Sequence, residues 1–426
     1  MSLLKKIKEK IKSSNKEDFI YSNKEGFGKI IYENDHTTLV HDSCRICYNK
    51  EVENTFEDKL KYIASKVKLG HESILEHSNV VIKIVITKEL NLDLIEVLNH
   101  TRYLNVITKE DKKDKIEIVL GGSIRGYKHI FRNIRKPFNE NKVLSILREL
   151  MYELPYCYFT DFIEDGIMEE SRFKNIDVKL ETKLDKDGNI IESNRDVFNK
   201  IERERFDILG IDNILDIWTS VDKHFDNYSL YEIMDLATIS IKFKGVSRTA
   251  SHQLVRHRAG ITQLSQRYVD MTNCKFLSPD EFKPEIYDKN KKYEVKLFGK
   301  EKELTLKEIG DTINSVYPQL VEQGLLKEDA RSYLANNTET TLYMTFTLRN
   351  FIKFLELRTH KSAQAEIRNL AIELKEIFED KTWVYIGKDI YCYIDPVYKS
   401  IQADLETFGE ENIDEVLETI EEKVEN

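Results

Sequence analysis

The chain has 426 residues, of which 41% are hydrophobic and 10% aromatic, with only 6 prolines and 16 glycines. This composition excludes a disordered or fibrous protein, and the length allows two domains of ordinary size. Lys and Arg number 65 against 75 Asp and Glu, which gives a net charge of -10. Such an acidic chain disfavours non-specific binding to nucleic acid or to an anionic membrane surface, so we expect neither partner.

The N-terminal segment, residues 1–35, is predicted to be an extension, since it lacks the continuous apolar stretch and the cleavage site of a secretion signal. The sequence contains no run of about 18 apolar residues, so we expect no membrane span. An odd number of cysteines, 5, fits a reducing cytoplasm. Cys44 and Cys47 form a C-x-x-C motif, but no second pair follows, so the edge of a helix or strand is favoured over a zinc or redox site. We predict no metal.

Residues 36–170 alternate helical and strand patterns. A helical pattern at 60–69 leads into the Val- and Ile-rich strand of GHESILEHSNVVIKIVI, and a helix is predicted from Asp93. A short strand at 116–120 is predicted to turn into a helix through two glycines, and a further helix is expected over 141–154.

The rest of the chain divides by composition into three parts. Residues 171–208 are charged and contain a D-G turn between short alternating runs, which predicts a hairpin within a connector. Residues 209–400 form a second unit, with a charged surface insertion near 284–308. The acidic residues 401–426 are typical of a solvated helix or tail.

The two halves of the chain resemble each other. Residues 58–86 match 212–243 in pattern, and GGSIRGYKHIF at 121–131 matches TFTLRNFIKFL at 345–355. Because the matches keep their order, we infer a duplication. The predicted fold is α+β, with two similar units that are each an antiparallel sheet packed with helices.

The densest group of polar side chains is SRTASHQLVRHRAGITQLSQRYVD, residues 247–270. Ser247 is a predicted helix N-cap, and Gln253, Arg256 and His257 would then lie on one face of that helix. An arginine fork can bind phosphate through two hydrogen bonds, and a polar loop supplies further donors. The alternative is a solvated basic helix end, where cations complement the helix dipole.

This block resembles the R-H-R and S-x-R-Y motifs of the flavin-dependent thymidylate synthases, with one residue fewer between Arg258 and Ser265. Residues 328–371 resemble the C-terminal half of that family, with D-A-R, a threonine-rich strand and A-Q-x-E-I-R at 363–368. The resemblance implies conversion of dUMP to dTMP with FAD as cofactor and with NADPH and methylenetetrahydrofolate as co-substrates. It implies no cysteine nucleophile.

The resemblance also implies residue roles by motif position. Arg358 would be the catalytic arginine, which contacts the uracil ring and favours its N3-deprotonated character. The implied flavin contacts in the second half are Arg256, His257, Arg258, Gln263, Arg349 and Lys353. The implied nucleotide contacts are Gln253, Ser265, Gln266, Arg267, Tyr268 and Arg331.

The chain departs from the family in where it carries the H-x-S-x-x-E-H motif. The motif lies in the first half, from His71 to His77, whereas the second half has Asn227-Tyr228-Ser229-Leu230-Tyr231-Glu232-Ile233. Since the first half has no R-H-R, we expect complete sites to draw on both halves. The first half would contribute flavin contacts from His71, Ser73, Arg125 and His129. For His71, a helix-end histidine satisfied by its neighbours is the alternative.

The spacing of two arginines also favours shared sites. Arg349 and Arg358 are nine residues apart, which is half a turn out of phase on one helix. A homodimer of two-unit chains would rebuild the tetramer of the family. Two other functions stay open: a related pyrimidine-nucleotide enzyme acting on another base or leaving a hydroxymethyl product, and a non-catalytic nucleotide-binding homologue.

Overall fold

The computed structural model describes residues 21–22, 26–33, 37–48, 55–110, 114–134, 140–173, 182–184, 190–192, 201–211, 233–297, 299–379, 383–387 and 390–393. Two predictions lie outside these residues. They are the acidic helix or tail at 401–426 and the second-half counterpart of the H-x-S-x-x-E-H motif, of which only Ile233 is described.

Strands and helices alternate along the chain. The strands are β1 Tyr21–Ser22, β2 Gly26–Glu33, β3 Asn79–Thr87, β4 Asn105–Glu110, β5 Lys115–Ser123, β6 Thr182–Leu184, β7 Ile190–Glu192, β8 Ile201–Glu202, β9 Phe206–Ile211, β10 Thr238–Ser247, β11 Gly260–Gln263, β12 Tyr293–Leu297, β13 Lys300–Leu304, β14 Glu339–Thr347, β15 Trp383–Gly387 and β16 Ile390–Tyr393. The α-helices are α1 Thr37–Ile46, α2 Phe56–Lys68, α3 Asn91–Leu98, α4 Ile124–Asn133, α5 Lys142–Met151, α6 Thr160–Glu164, α7 Arg248–Leu254, α8 Leu306–Asn314, α9 Val316–Glu322, α10 Lys327–Ala330, α11 Leu348–Thr359 and α12 Ala365–Glu379.

Two five-stranded antiparallel sheets organise these elements. The first has the order β1-β2-β3-β5-β4, and the second, read from its other edge, has the order β8-β9-β10-β14-β11. In both sheets the first three strands along the chain are neighbours in order, and the fifth strand then lies between the third and the fourth. The mixture of helices and antiparallel sheets is the α+β fold that the sequence predicts.

The two sheets also share their register. Asn79 lies opposite Ser123 at the end of β5, and Thr238 lies opposite Thr347 at the end of β14. A helix follows each strand end directly, α4 in the first sheet and α11 in the second. On the other edge of β5, Asn105 lies opposite Gly121, and on the other edge of β14, Gly260 lies opposite Thr345. Gly121 and Thr345 each lie two residues before the end of their strand. Positions in the two sheets can therefore be compared one by one.

The first sheet is buried on both faces. Alternate residues of β3, including Ile82 and Ile84, pack into a core with the surrounding helices of the first half. Val81 of β3 and Val119 of β5 point the other way and join the core of the second half with Ile239 and Phe346. A strand covered on both faces reads as a continuous apolar run, which is why NVVIKIVI shows no alternation.

The predicted helices and strands form close to their expected positions, with one error, and several strands of the main sheets, among them β2, β4 and β9, are not predicted. The strand predicted at 116–120 continues through Gly121 and Gly122, where a helical turn had been expected. A side chain on Gly121 would collide with Leu236 of the second half, so glycine serves close packing here. Of the strands not predicted, β4 pairs with β5 along its whole length.

The connector and the insertion both contain hairpins. In the connector, β6 pairs antiparallel with β7, as the sequence predicts. In the insertion, β12 pairs with β13, and most of the side chains of this hairpin are exposed. The first sheet reaches into residues 1–35, and the second takes β8 and β9 partly from residues 171–208. None of the helices in the described part of the chain has the length and apolarity that crossing a membrane requires.

Candidate active site

A buried carboxylate fixes the start of helix α7. Ser247 is the N-cap that the sequence predicts, and its Oγ accepts a hydrogen bond from the Ala250 amide at 3.0 Å. Glu366, which is fully buried, accepts hydrogen bonds from the Ser247 amide at 2.8 Å and from the Ser247 hydroxyl. Arg205 completes the group, with Nη2 at 2.6 Å from Glu366 Oε1. Sequence reasoning missed Glu366, although a glutamate in the first turn of an apolar helix was a usable signal.

The predicted catalytic arginine contacts two other predicted site residues. Arg358 Nε donates to His257 Nε2 at 2.9 Å, and its two Nη atoms lie 3.4 Å from the side-chain and main-chain oxygens of Gln253. Gln253 in turn donates to Gln364 Oε1 at 2.9 Å. Helix α7 ends at Leu254, so His257 lies in the following turn, and its expected place on the helix face is wrong.

Electrostatics keep His257 neutral at pH 7. Burial, followed by the positive charge of Arg358, lowers the pKa of His257 to about 4. Its Nε2 can therefore accept the hydrogen bond from Arg358. Burial and the charge of Arg256 lower the pKa of the Arg358 guanidinium, which still stays protonated. The result is a half-buried cation whose contacts are all with neutral groups, an arrangement that favours an anionic or polarisable ligand.

This pair can be tested by titration. In the native protein we expect the ring of His257 to titrate near pH 4. In Arg358→Ala its pKa should rise towards the ordinary value of about 6.5 without reaching it, because the charge is lost while the burial remains. The His257 Hε1 signal in proton NMR, assigned by its loss in His257→Gln, reports this. An ordinary pKa in the native protein would contradict the arrangement.

Further cations surround this cluster. The exposed side chains of Arg256 and Arg258 form no hydrogen bond or ion pair within the described residues. Arg331 donates to the Glu328 carbonyl at 3.0 Å, while Arg267 Nε pairs with the Glu328 carboxylate at 3.0 Å. Arg256 and Arg258 follow α7, Arg267 follows β11, and Arg331 follows α10.

The remaining predicted nucleotide and flavin contacts of the second half differ in exposure. Gln263 donates to Ser251 Oγ at 3.1 Å and to Thr340 Oγ1 at 3.2 Å, so its amide faces the protein. Gln266 is buried. Ser265 accepts a hydrogen bond from the Arg267 amide at 3.4 Å. Tyr268 is exposed, and its ring stacks on Tyr48 of the first half with centroids 5.3 Å apart.

The C-x-x-C motif lies next to this region. Helix α1 ends at Ile46, between the two cysteines, and Cys47 Sγ lies 3.5 Å from the Gln263 carbonyl oxygen. Burial, followed by the charge of Cys44, raises the pKa of Cys47 to about 11, so it is a protonated thiol at neutral pH. No group of three or more potential metal ligands occurs in the part of the chain that the structure describes.

The H-x-S-x-x-E-H segment of the first half contacts the second half directly. It forms a 3₁₀ helix, Glu72–His77, and the fully buried ring of His77 bonds Thr345 Oγ1 at 2.9 Å and Thr262 Oγ1 at 2.7 Å. A Cβ on Gly260 would lie 2.6 Å from the Glu76 carbonyl oxygen, so only glycine fits there. The turn after R-H-R and the His71–His77 segment therefore meet within one chain.

Helix α4 holds the same segment from its other side. Glu72 bonds the buried Lys128 and Arg132, and Glu76 bonds Arg125. Burial alone would raise the pKa of Glu72, but the hydrogen bonds from Arg132 and Lys128 outweigh it and lower that pKa to about 2. His71 and Ser73 remain exposed beside this anchored segment.

The four helix residues predicted to contact flavin are not grouped together. Arg349 Nε pairs with Asp235 at 2.7 Å, on the opposite side of α11 from Arg358, as the spacing predicts. His129 lies 3.3 Å from the His100 carbonyl oxygen and packs edge-on against Tyr103. Lys353 is exposed, and Arg125 pairs with Glu76.

Comparison with known proteins covers mainly the second half of the chain. Residues 197–382 match the family described as thymidylate synthase complementing protein. A flavin-dependent thymidylate synthase of Pyrococcus furiosus is 35% identical over 166 residues, which cover 37% of this chain and 62% of the relative. The enzyme of the same name from Geobacter sulfurreducens is 36% identical over 143 residues, 33% of this chain and 56% of the relative.

A third relative, the flavin-dependent thymidylate synthase of Mycolicibacterium gilvum, is 29% identical over 161 residues, 35% of this chain and 61% of its own length. The chain thus spans less than two thirds of each of these relatives. Residues 197–382, which include the R-H-R turn, Arg358 and Glu366, are thus similar to the thymidylate synthase complementing protein family.

Proposed function

We propose that the protein is a flavin-dependent thymidylate synthase that converts dUMP to dTMP with FAD, NADPH and methylenetetrahydrofolate. The observation that carries the proposal is the hydrogen-bonded group of Arg358, His257 and Gln253 beside the R-H-R turn. Each of these residues falls at a motif position to which the resemblance assigns a role. A non-catalytic homologue would have no need to retain this set together with the surrounding cations.

The residues at the R-H-R turn fit a flavin dinucleotide. A diphosphate needs accessible donors of positive charge, and Arg256 and Arg258 are exposed without a carboxylate partner among the described residues. Gly260, next to them, allows the Glu76 backbone of the first half to pack closely against this turn. When bound and reduced, the flavin would supply the hydride that completes the methyl group. Arg256, Arg258 and the exposed Ser73 are the residues proposed to hold it.

The nucleotide would be held by Arg331 and Arg267, the two cations that contact Glu328. Arg331 and Arg267 would bind the phosphate, for which Arg267 would exchange its exposed pairing with Glu328. Arg358 would lie against the pyrimidine and stabilise the negative charge that develops on the ring during activation. The neutral His257 would keep the guanidinium oriented without competing for that charge.

The proposal includes the duplication and the assembly. We take the two halves as two family-like units because both sheets have the same strand order and register. The first unit would supply His71 and Ser73, and the second would supply the R-H-R turn and Arg358. A homodimer of such chains, placed in the cytoplasm, would rebuild a four-unit assembly with fewer active sites.

The absorption spectrum of the purified full-length chain tests the flavin assignment. We expect bands near those of free FAD after incubation with FAD and removal of excess, and a shift of these bands when dUMP is added. Gel filtration with light scattering tests the assembly. A colourless protein that binds no added FAD would reject the proposed function, and a stable FAD-bound monomer would reject the homodimer.

A further inference from the structure

The duplicated units meet at two related places, and we infer that only one of them binds flavin. We call the contact of Glu76 and His77 with Gly260, Thr262 and Thr345 the first junction. The second junction is the contact of Asp235 and Leu236 with Asn105, Ile107 and Gly121. This inference rests on the proposed function, and it assigns Arg125, not Arg349, to the flavin site.

The shared register shows that the junctions correspond residue by residue. Glu76 precedes β3 by the same number of residues as Asp235 precedes β10, so the two correspond. The sequence match, which placed the counterpart of His71–His77 at 227–233 and so paired Glu76 with Glu232, is wrong by three residues. Asn105 occupies in the first sheet the place of Gly260 in the second. Glu76 contacts Gly260 through its carbonyl oxygen. Asp235 contacts Asn105 through the same atom, which accepts the Asn105 amide at 2.6 Å.

A second pair of contacts also involves corresponding positions at the two junctions. His77 bonds Thr345 at the first junction, and Leu236, at the corresponding position, packs on Gly121 at the second. Two units that exchange equivalent contacts in this way are related by an approximate twofold axis, as in an isologous dimer. One chain thus contains two places with the same backbone arrangement and different side chains.

The side chains at the second junction are unsuited to an anionic dinucleotide. In the register of β4 and β11, Arg256, His257 and Arg258 correspond to Thr101, Arg102 and Tyr103. Two of the three basic side chains are therefore lost. The ring of Tyr103 packs against His129, and the Asn105 side chain donates to the Asp235 carbonyl at the position where the first junction has a glycine packed against Glu76. Position 358 of the second unit corresponds to the buried Ile134 in the first, so the catalytic arginine is absent as well.

The two helix arginines differ in access. Arg125 lies two residues after β5 and Arg349 two residues after β14, so they correspond. The side chain of Arg125 is 47% exposed beside Glu76 at the first junction, whereas that of Arg349 is 17% exposed against Asp235. A ligand at the first junction can reach Arg125 by displacing an exposed ion pair, which costs little. Arg349 instead joins α11 to the segment before β10.

Flavin titration of the full-length chain tests the inference without an activity assay. FAD would be removed and added back, with bound flavin measured by absorbance and the Kd by quenching of flavin fluorescence. We expect one FAD per chain. Arg125→Ala should raise the Kd about tenfold or more, the effect of losing one charged hydrogen bond, and Arg125→Lys should recover part of the affinity.

The matched variant is Arg349→Ala. Because the inference places Arg349 outside the flavin site, we expect its Kd to stay within about twofold of the native value, a change well below the effect of losing one charged hydrogen bond. Circular dichroism would establish that each variant is folded. Two FAD molecules per chain, or a larger loss of affinity in Arg349→Ala than in Arg125→Ala, would overturn the inference while leaving the proposed function intact. Absence of flavin binding by the native chain would overturn both.

Discussion

Arg358→Ala is expected to lower the rate of dTMP formation by about 10²–10³-fold, the usual effect of removing one donor that stabilises charge in the transition state. The affinity for FAD should change little, because among the described residues the Arg358 side chain donates hydrogen bonds to His257 and Gln253 and to none of Arg256, Arg258 or Ser73, which are proposed to hold the flavin. Steady-state kinetics should place the loss mainly in kcat. The measurement is turnover at saturating dUMP, together with a flavin titration.

Arg368→Ala is the matched control. Arg368 lies at the end of the same A-Q-x-E-I-R signature, but its side chain donates only to the Lys361 carbonyl at 3.0 Å. We expect this variant to keep native turnover. Parallel loss of turnover and FAD binding in Arg358→Ala would show that the residue maintains the fold of the site and has no specific part in the reaction.

Glu366→Ala is expected to destabilise the second unit by about 3–5 kcal/mol, since it removes one partner of a buried charged group. Arg205 loses its carboxylate, and Ser247 loses the acceptor of its amide. Because Ser247 caps α7, which carries Gln253, the affinity for dUMP should fall as well. Urea unfolding followed by circular dichroism measures the stability, and dUMP titration measures the second effect.

Glu373→Ala is the control on the same helix. Glu373 lies 3.9 Å from Arg203, and both side chains are nearly half exposed. An ion pair of this kind contributes less than about 1 kcal/mol, so the unfolding midpoint should hardly move. Equal effects of the two variants would contradict the role assigned to the buried carboxylate.

Local patterns in the sequence predicted most of the elements that position the site. The apolar run of β3, the N-cap Ser247 and the phase difference between Arg349 and Arg358 all follow from residues close together in the chain. On α12, Ile367 and Leu370 are buried and lie three residues apart, the spacing of one helix face. In these segments local preference and tertiary packing agree.

Contacts between residues far apart in the chain could not be predicted from local sequence patterns. The pairing of His77 with Thr262 and Thr345 joins residues more than 180 positions apart, and no local rule connects them. Gly121 resembles a turn residue, but it lies in a strand because Leu236 packs against it. The place of Glu366 under α7 is of the same kind. Each of these depends on how the two halves pack together, which periodicity cannot reveal.

The most direct test of the account is product formation by the purified full-length chain. With dUMP, FAD, NADPH and methylenetetrahydrofolate present, we expect dTMP to accumulate, identified by chromatography and mass, and to be absent when any one of the four is left out. Arg358→Ala would be the negative control. A native chain that binds both FAD and dUMP but releases no dTMP, or releases a hydroxymethyl nucleotide in its place, would contradict the proposed reaction.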